Sequence, residues 1–337
     1  MMIMVSENLK EKVYNLPNKT GVYQFLDLEG NILYIGKSKQ LKSRVLSYFN
    51  THHEWKKIKR LVLNIYDVRH ILTDTHLEAK ILECALIKKH LPMYNAEYTR
   101  DKNYKYLKLQ KGPRKKPIAM VLERDEECCF GPFRSKNILH EIIKQLDNIY
   151  PIFKDKETYQ FSFSSLPQKL NEDSMISNNK SLMEIFSTSE GMKTFINALE
   201  EKMKLAASVQ QYELATIYRD MFHNFSYIHN CQRVNESNNC ILMGEKIESG
   251  YKLFYITNNK IAFKQSYETI DKELIMKFIE TAGKRAKQLK SSNEKRGLDF
   301  KYIIRSEMTD DTNKAILYIS KDKDIEGFLN YIKSLPS

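Results

Sequence analysis

The sequence predicts an α/β (α+β) protein built from small sheets flanked by helices, and three observations carry that prediction. Apolar, β-branched runs surround Tyr23 and Tyr34, with the turn-forming residues Asp27, Glu29, Gly30 and Asn31 between them. Helical stripes follow, the clearest from His76 to His90 and across residues 192–226. Short apolar runs and helical stretches alternate again over residues 238–337. At 337 residues the chain is long enough for two or three domains with real cores.

Along the chain, Gly21–Asp27 and Asn31–Ser38 read as an antiparallel strand pair that brings two phenols together. Pro17 stops any helix from running into it. Lys39–Phe49 places Leu41, Val45, Leu46 and Phe49 at helical spacing, with Lys42 and Arg44 off that stripe. Residues 55–65 form a second amphipathic helix and Val68–Leu72 a third strand. Asp74 or Thr75 caps the helix His76–His90, which Pro92 ends. Tyr106–Leu109 and Ile118–Leu122 read as strands, Phe130–Phe133 as a turn and Asn137–Leu146 as a helix. Residues 156–190 are polar and Ser- and Asn-rich, and read as a linker. A break near Val209–Tyr212 divides residues 192–226 into an αα-hairpin too small to bury both of its faces. Beyond it, Cys240–Met243, Leu253–Ile256, Ile261–Ser266, Tyr302–Ile304 and Ala315–Ile319 read as strands, Asn258-Asn259 as a turn, and Asp271–Leu289 and Ile325–Ile332 as helices.

A formal net charge of +12 favours a polyanionic partner, nucleic acid before membrane. The surplus is concentrated in residues 1–110, around the tyrosine pair. Five cysteines without a CxxC or regular spacing argue against a disulfide framework or a zinc site, and Cys84 lies in an apolar helical run. No apolar run approaches the ~20 residues that span a bilayer, and no signal peptide is recognisable, so the expected compartment is the cytoplasm.

Tyr23, Tyr34, Lys37, Arg44 and Tyr48 form a cluster of phenols and cations, the composition expected around a phosphodiester. Hydrolysis of that bond needs a water that loses a proton, and charge to stabilise the phosphoryl oxygens and the leaving oxygen. A free phenol titrates near 10, so it acts as a base only with help from a nearby cation. Arg44 offers a planar fork to two phosphate oxygens. One carboxylate on a rigid helix, Glu83, suits one Mg²⁺ that keeps most of its waters. Asn95, just past that helix, is placed to bond phosphate or orient a ligand.

The order of these residues resembles the GIY-YIG nucleases, and within them the UvrC-type nuclease of bacterial nucleotide excision repair. Leu16 through Tyr23, Leu33 through Ser38, Leu41 through Arg44 with Ser47-Tyr48-Phe49, and Glu78-Ala79 with Leu82-Glu83 through Asn95 all look like its nuclease domain. Asp101-Lys102, Tyr104 through Leu109 and Phe130-Gly131-Pro132 extend the likeness, which is nearly continuous over residues 12–150. Val22 replaces the isoleucine of the first triplet. The resemblance implies that Glu83 binds a single Mg²⁺ or Mn²⁺ and that Tyr23 or Tyr34 helps activate the water. It further implies that Lys37 and Arg44 contact the scissile phosphate, that Tyr48 and Asn95 complete the pocket, and that Lys37, Lys39, Lys42 and Arg44 bind DNA.

Met203, Ala206-Ala207, Tyr212-Glu213, Ala215 and Tyr218-Arg219-Asp220 resemble the UVR motif. That likeness implies a UvrB partner held through Tyr212, Glu213, Arg219 and Asp220. Residues 151–201 lack the cysteines that usually hold an iron–sulfur cluster in this family, so no cluster is expected. Residues 248–285 look faintly like the start of the family's second nuclease, without a recognisable acidic triad; Asp310 and Asp311 read as loop residues. The expected organisation is therefore a short, Cho-like form without the second nuclease and helix-hairpin-helix domains. It comprises a nuclease domain over 1–110 with a small three-stranded mixed sheet, an appended segment 111–155, the linker 156–190, a UVR-like hairpin 191–230, and an α/β region 238–337 that has Lys284, Arg285, Lys287 and Lys290 as candidate DNA contacts. The expected function is a one-site DNA endonuclease that cuts damaged duplex on the 3′ side of a lesion held by UvrB. The alternatives are a non-catalytic UvrB- and DNA-binding adaptor, or a structure-selective nuclease outside excision repair.

Overall fold

The computed structural model describes residues 7–50, 56–110, 118–125, 128–165, 171–236, 240–288, 293–309, 313–319 and 324–336. Lys290, Asp310 and Asp311 lie outside the described residues. The chain forms two units: residues 1–100 together with 237–337, and residues 101–236.

The first unit begins with α1 (Glu7–Tyr14), β1 (Gly21–Leu26) and β2 (Ile32–Ser38). The connecting turn is built by Asp27, whose carboxylate accepts from the N–H groups of Glu29 and Asn31 at 3.0 and 2.8 Å, while Gly30 takes φ +85°. Next come α2 (Leu41–Asn50), α3 (Lys56–Asn64), β3 (Asp67–Leu72) and α4 (His76–His90). The strand order is β2-β1-β3. Both pairings are antiparallel, where a mixed sheet was expected, because β3 returns from α3 beside β1 in the direction of β2.

Every residue of the central strand β1 is buried, since both faces of the sheet are covered. Tyr23 and Phe25 pack with Leu9 and Val13 of α1 and Leu41, Val45 and Tyr48 of α2. On the opposite face Val22 and Ile35 pack on Ala79 and Ile87 of α4. Full burial of a side chain such as Phe25 contributes about 1.5–3 kcal/mol. Helix α4 starts at Thr75, whose hydroxyl accepts from the Glu78 N–H at 3.2 Å, and stops at Leu91 in the left-handed region, directly before Pro92.

The second unit contains a β5-β4-β6 sheet made of β4 (Lys105–Leu109), β5 (Ile118–Val121) and β6 (Cys129–Phe133). Phe130–Phe133, expected as a turn, thus lies in a strand that pairs with β4. Helix α5 (Lys136–Asn148) and the two-stranded β7 (Phe153–Asp155) and β8 (Thr158–Gln160) follow. The expected linker contains α6 (Glu172–Ser187). Its Ser and Asn residues conceal the period, but Leu182, Ile185 and Phe186 form a buried stripe and Asn171 caps its start. The hairpin consists of α7 (Ser189–Ser208) and α8 (Tyr212–Glu236), joined through Gln210 at φ 61°. Phe195 and Phe225 meet at its centre with rings 4.9 Å apart. At its tip Leu205, Val209 and Tyr212 are exposed.

Returning to the first unit, β9 (Ile241–Ile247), β10 (Gly250–Thr257) and β11 (Lys260–Tyr267) form a meander that turns at Asn258 and Asn259, both at positive φ. Helices α9 (Lys272–Ala286) and α10 (Glu294–Thr309), strand β12 (Ala315–Tyr318) and helix α11 (Ile325–Ser334) complete it, with sheet order β11-β10-β9-β12. Tyr302–Ile304, expected as a strand, lies inside α10. There Phe300, Ile304 and Met308 repeat every four residues and pack with Ile303 on the sheet, which a three-residue apolar run does not reveal.

Successive residues of β9 and β10 serve opposite faces of this sheet. Leu242, Leu253 and Tyr255 pack with Ile275, Phe278 and Ala282 of α9 and Phe328 and Ile332 of α11. Ile241, Met243, Phe254 and Ile256 pack with Ile303 and Ile304 of α10 and with Leu77 and Cys84 of α4. The carboxy-terminal segment therefore forms the outer wall of α4. Ion pairs reinforce that wall: Lys88 of α4 meets Asp299 of α10 at 2.7 Å, both almost fully buried, and Lys252 of β10 meets Asp74 at 2.7 Å.

Candidate active site

The candidate residues come from four neighbouring elements, β1, β2, α2 and α4, and the segment after α4. Antiparallel pairing of β1 and β2 sets Tyr23 opposite Gly36, one residue from Lys37 and two from Tyr34. The ring of Tyr23 lies over Gly36, and any Cβ at that position would run into its phenol. The glycine of the second strand is thus a steric requirement of the tyrosine in the first.

The rings of Tyr23, Tyr34 and Tyr48 form a triangle with centroids 6.0–6.2 Å apart. Tyr23 and Tyr48 share a hydrogen bond, Oη to Oη, of 2.9 Å. The Arg44 guanidinium, one helical turn before Tyr48, lies 5.3 Å from the centre of the Tyr48 ring. Tyr23 is buried, whereas Tyr34 is half-buried and Arg44 exposed. Burial, with Tyr48 adding to it, pushes both the Tyr23 and the Tyr34 phenols well above their ordinary range. The charge of Glu83 adds to the shift at Tyr34, and Arg44 opposes it at both.

Glu83 lies midway along α4, and its Oε1 accepts from the Lys37 N–H at 3.0 Å, which ties the helix to the end of β2. Burial pushes this carboxyl up to about 7, while Lys37 pulls the other way. Its second oxygen accepts no hydrogen bond among the described residues. No cluster of three or more His, Cys, Asp or Glu able to hold a metal occurs among the described residues. A single partly desolvated carboxylate is nonetheless a fitting anchor for Mg²⁺, which keeps several waters and needs only one or two carboxylates.

Asn95 is bonded to the β2 backbone. Its Oδ1 accepts from the Ile35 N–H and its Nδ2 donates to the Ile35 carbonyl, both at 2.9 Å. Asn95 thus holds the strand between Tyr34 and Gly36, and its second Nδ2 hydrogen and second Oδ1 lone pair are left over from these two bonds. Among the expected DNA contacts, Lys39 and Arg44 are exposed, and Lys37 and Lys42 half-buried. In the second unit Tyr212, Glu213, Arg219 and Asp220 are all exposed on α8, and Arg219 pairs with Asp220 at 2.9 Å. Lys284, Arg285 and Lys287 are not part of the tyrosine cluster. Arg285 stacks 4.3 Å from the Phe263 ring, beside a cavity of about 820 Å³ lined by Ile81, Leu82, Phe263 and Phe300.

Two neighbours were missed from sequence. His76 begins α4 and is pushed down to about 4 by burial and by Lys37, so it is neutral at physiological pH. Lys80 precedes Glu83 by three residues and contributes to the field at its carboxylate. Positions 76, 80 and 83 share one helical face, a spacing readable in the sequence. The chemistry of this site lies in an array of phenols and cations around one carboxylate.

The arrangement defines a class: an α+β domain with phenols and cations set around one carboxylate. The model of the UvrC-like GIY-YIG domain matches residues 19–96, and that of the UvrB/UvrC motif matches residues 193–221. The GIY-YIG N-terminal endonuclease domain of UvrC from Thermotoga maritima, in a crystal structure with its catalytic divalent cation magnesium, is 36% identical. The match covers 27% of this chain and all of that one, with a TM-score of 0.25. A tyrosine-to-phenylalanine variant of the same domain, bound to its catalytic divalent cation, is 34% identical over 28% of this chain and all of that one (TM-score 0.26). An asparagine-to-alanine variant, also bound to its catalytic divalent cation, matches with the same values. The chain belongs to the UvrC-like GIY-YIG nuclease family. It is an endonuclease of the UvrC type that carries a UVR motif. No helix among the described residues is long and apolar enough to cross a membrane.

Proposed function

We propose that this chain is a Mg²⁺- or Mn²⁺-dependent endonuclease of nucleotide excision repair. It acts in the cytoplasm on damaged duplex bound by UvrB and hydrolyses one phosphodiester bond on the 3′ side of the lesion. The observation that carries the reading is the meeting of three phenols and Arg44 with a Glu83 carboxylate tied to the Lys37 backbone.

Glu83 would hold a single divalent cation, which when bound would supply positive charge to the scissile phosphate. Arg44 and Lys37 bind the non-bridging oxygens and neutralise the charge that grows on them. Tyr34 is the phenol on which the Glu83 charge bears and the more accessible of the β-strand pair, so we assign it the proton of the attacking water. Positive charge around it lowers its phenol from the high value that burial imposes. Tyr23 is committed to Tyr48 through its hydrogen bond and serves to hold the pocket. Lys39 and Lys42 add phosphate contacts along the same strand.

The hairpin supplies the second half of the reading. Leu205, Val209 and Tyr212 form an apolar tip flanked by the charged Glu213, Arg219 and Asp220, a surface suited to UvrB. The test is incision of a lesion-containing duplex in the presence of UvrA and UvrB. Glu83→Ala loses incision and retains UvrB binding, whereas Leu205→Asp/Tyr212→Ser loses UvrB binding. Equal cutting by Glu83→Ala and the wild-type chain overturns the site. Efficient cutting of undamaged branched DNA without UvrB replaces excision repair with a structure-selective role. A chain that binds UvrB but cuts under no metal is an adaptor.

A further inference from the structure

The carboxylate expected to hold the metal is outnumbered by cations. Lys37 and Lys80 both bear on Glu83, and Lys80 lies three residues before it on the same helix, a spacing at which side chains pair directly. A lysine paired with Glu83 would occupy the position the metal needs. Lys80 is instead drawn to Glu307 of α10, with which it forms an ion pair. Glu307 is buried and central: Lys80 meets its Oε1, Lys314 meets its Oε2 and also donates to its backbone carbonyl at 3.0 Å, and His76 Nδ1 stands 3.7 Å from Oε1.

We infer that Glu307 is a positioning residue for the metal site: it sequesters Lys80, and so keeps the Glu83 carboxylate open to a divalent cation. The inference deepens the proposed function and rests on Glu83 being the metal ligand. It gives residues 237–337 a catalytic purpose, since the carboxylate that removes the competing lysine comes from α10.

The surroundings favour this assignment. Burial works against ionisation of Glu307, but hydrogen bonds from Lys314 and Lys80 outweigh it and hold the carboxyl below its ordinary value. His76 is neutral and offers Glu307 no competing charge. Glu245 of β9 also faces Lys314, and burial pushes it up to about 7, so it is a weaker counter-charge than Glu307 at neutral pH. Removing the Glu307 charge would leave Lys80 without its ion-pair partner and free to turn to Glu83, three residues on along its own helix face.

Direct Mn²⁺ binding to the full chain, measured by calorimetry and by the loss of the free-ion paramagnetic signal, tests this without reference to activity. Glu307→Gln should weaken Mn²⁺ binding roughly 10-fold or more, the usual effect of losing a residue that supports a metal ligand. Lys80→Met alone should leave binding near the wild-type value, because Lys80 is already held away. Glu307→Gln/Lys80→Met should restore it. That rescue separates sequestration from general damage to the fold, which a second substitution would not repair. If Glu307→Gln does not fold, Glu307→Gln/Lys314→Met removes the buried lysine left behind, and its rescue by Lys80→Met is read the same way. Unchanged binding in the folded Glu307 variant overturns the inference, as does weakened binding that Lys80→Met fails to restore. Glu83→Gln is the control: if it binds Mn²⁺ as the wild type does, the ligand assignment itself is wrong. If it abolishes binding while Glu307→Gln does not weaken it, only the present inference fails.

Discussion

Tyr23 and Gly36 face each other across the β1–β2 pair, and the phenol of the first occupies the space a side chain on the second would need. The two strand motifs are thus halves of one steric arrangement. Gly36→Ala should push the Tyr23 ring off its place and break its register with Tyr48. The overpacking should cost about 1–3 kcal/mol. Displacing the phenols by about 1 Å should lower incision about 100-fold. Urea denaturation and single-turnover cleavage measure the two effects separately.

The Tyr23–Tyr48 hydrogen bond predicts an asymmetry. Tyr23→Phe removes a buried hydroxyl and should change stability by less than about 1 kcal/mol. Tyr48→Phe takes a hydrogen-bond partner from both Tyr23 and Tyr34 and should cost about 1–3 kcal/mol. Thermal unfolding of the two variants side by side, at one pH, decides this.

Glu83 makes the chain pH-sensitive. Its carboxyl stands at about 7 in the fold against an ordinary 4.5, so between those values the folded chain holds a proton that the unfolded chain has released. The stability this provides is complete below about 4.5 and is lost as pH rises through about 7, by about 1–3 kcal/mol. Glu245, raised to about 7 mainly by burial, acts in the same direction. In chelator, the wild-type chain should therefore melt at a lower temperature at pH 8 than at pH 5. Glu83→Gln should flatten part of that slope, and excess Mg²⁺ should offset it in the wild type alone. The half-saturating Mg²⁺ for cleavage should fall as pH rises from 6 to 8, because proton and metal compete for one carboxylate.

Lys88 and Asp299 join α4 to α10 in a nearly water-free setting, with side chains 2% and 0% exposed. Asp299→Ala should destabilise the first unit by about 3–5 kcal/mol, since it leaves a buried ammonium uncompensated. Lys88→Met/Asp299→Leu should recover most of that loss. Urea unfolding of the single and double variants gives both numbers.

Much of the nuclease half was legible in the sequence because its signals are local. Thr75 with Glu78 three residues on marks the start of α4, Pro92 its end, and the Asp27–Asn31 turn sets the hairpin that brings the tyrosines together. Local pattern could not show that the Asn95 amide bonds the Ile35 backbone sixty residues earlier. Tyr302–Ile304 misled because its apolar run is as short as a strand, while the stripe that defines α10 also includes Phe300 and Met308. Glu307 carried no signal at all. Its partner Lys80 is distant in sequence, and a lone glutamate near a helix end ordinarily faces solvent.

Leu77 and Cys84 of α4 obtain their apolar neighbours from residues 241–304, which are synthesised only after the whole of the 101–236 unit. On the ribosome, the helix bearing Glu83 therefore waits roughly 10–40 s for its outer wall at ordinary elongation rates. Throughout that interval the nascent nuclease half has an uncovered apolar helix face and lacks Glu307 and Asp299. The order of synthesis thus acts as a timer: the cutting centre acquires its full support only once the UVR hairpin has already been made.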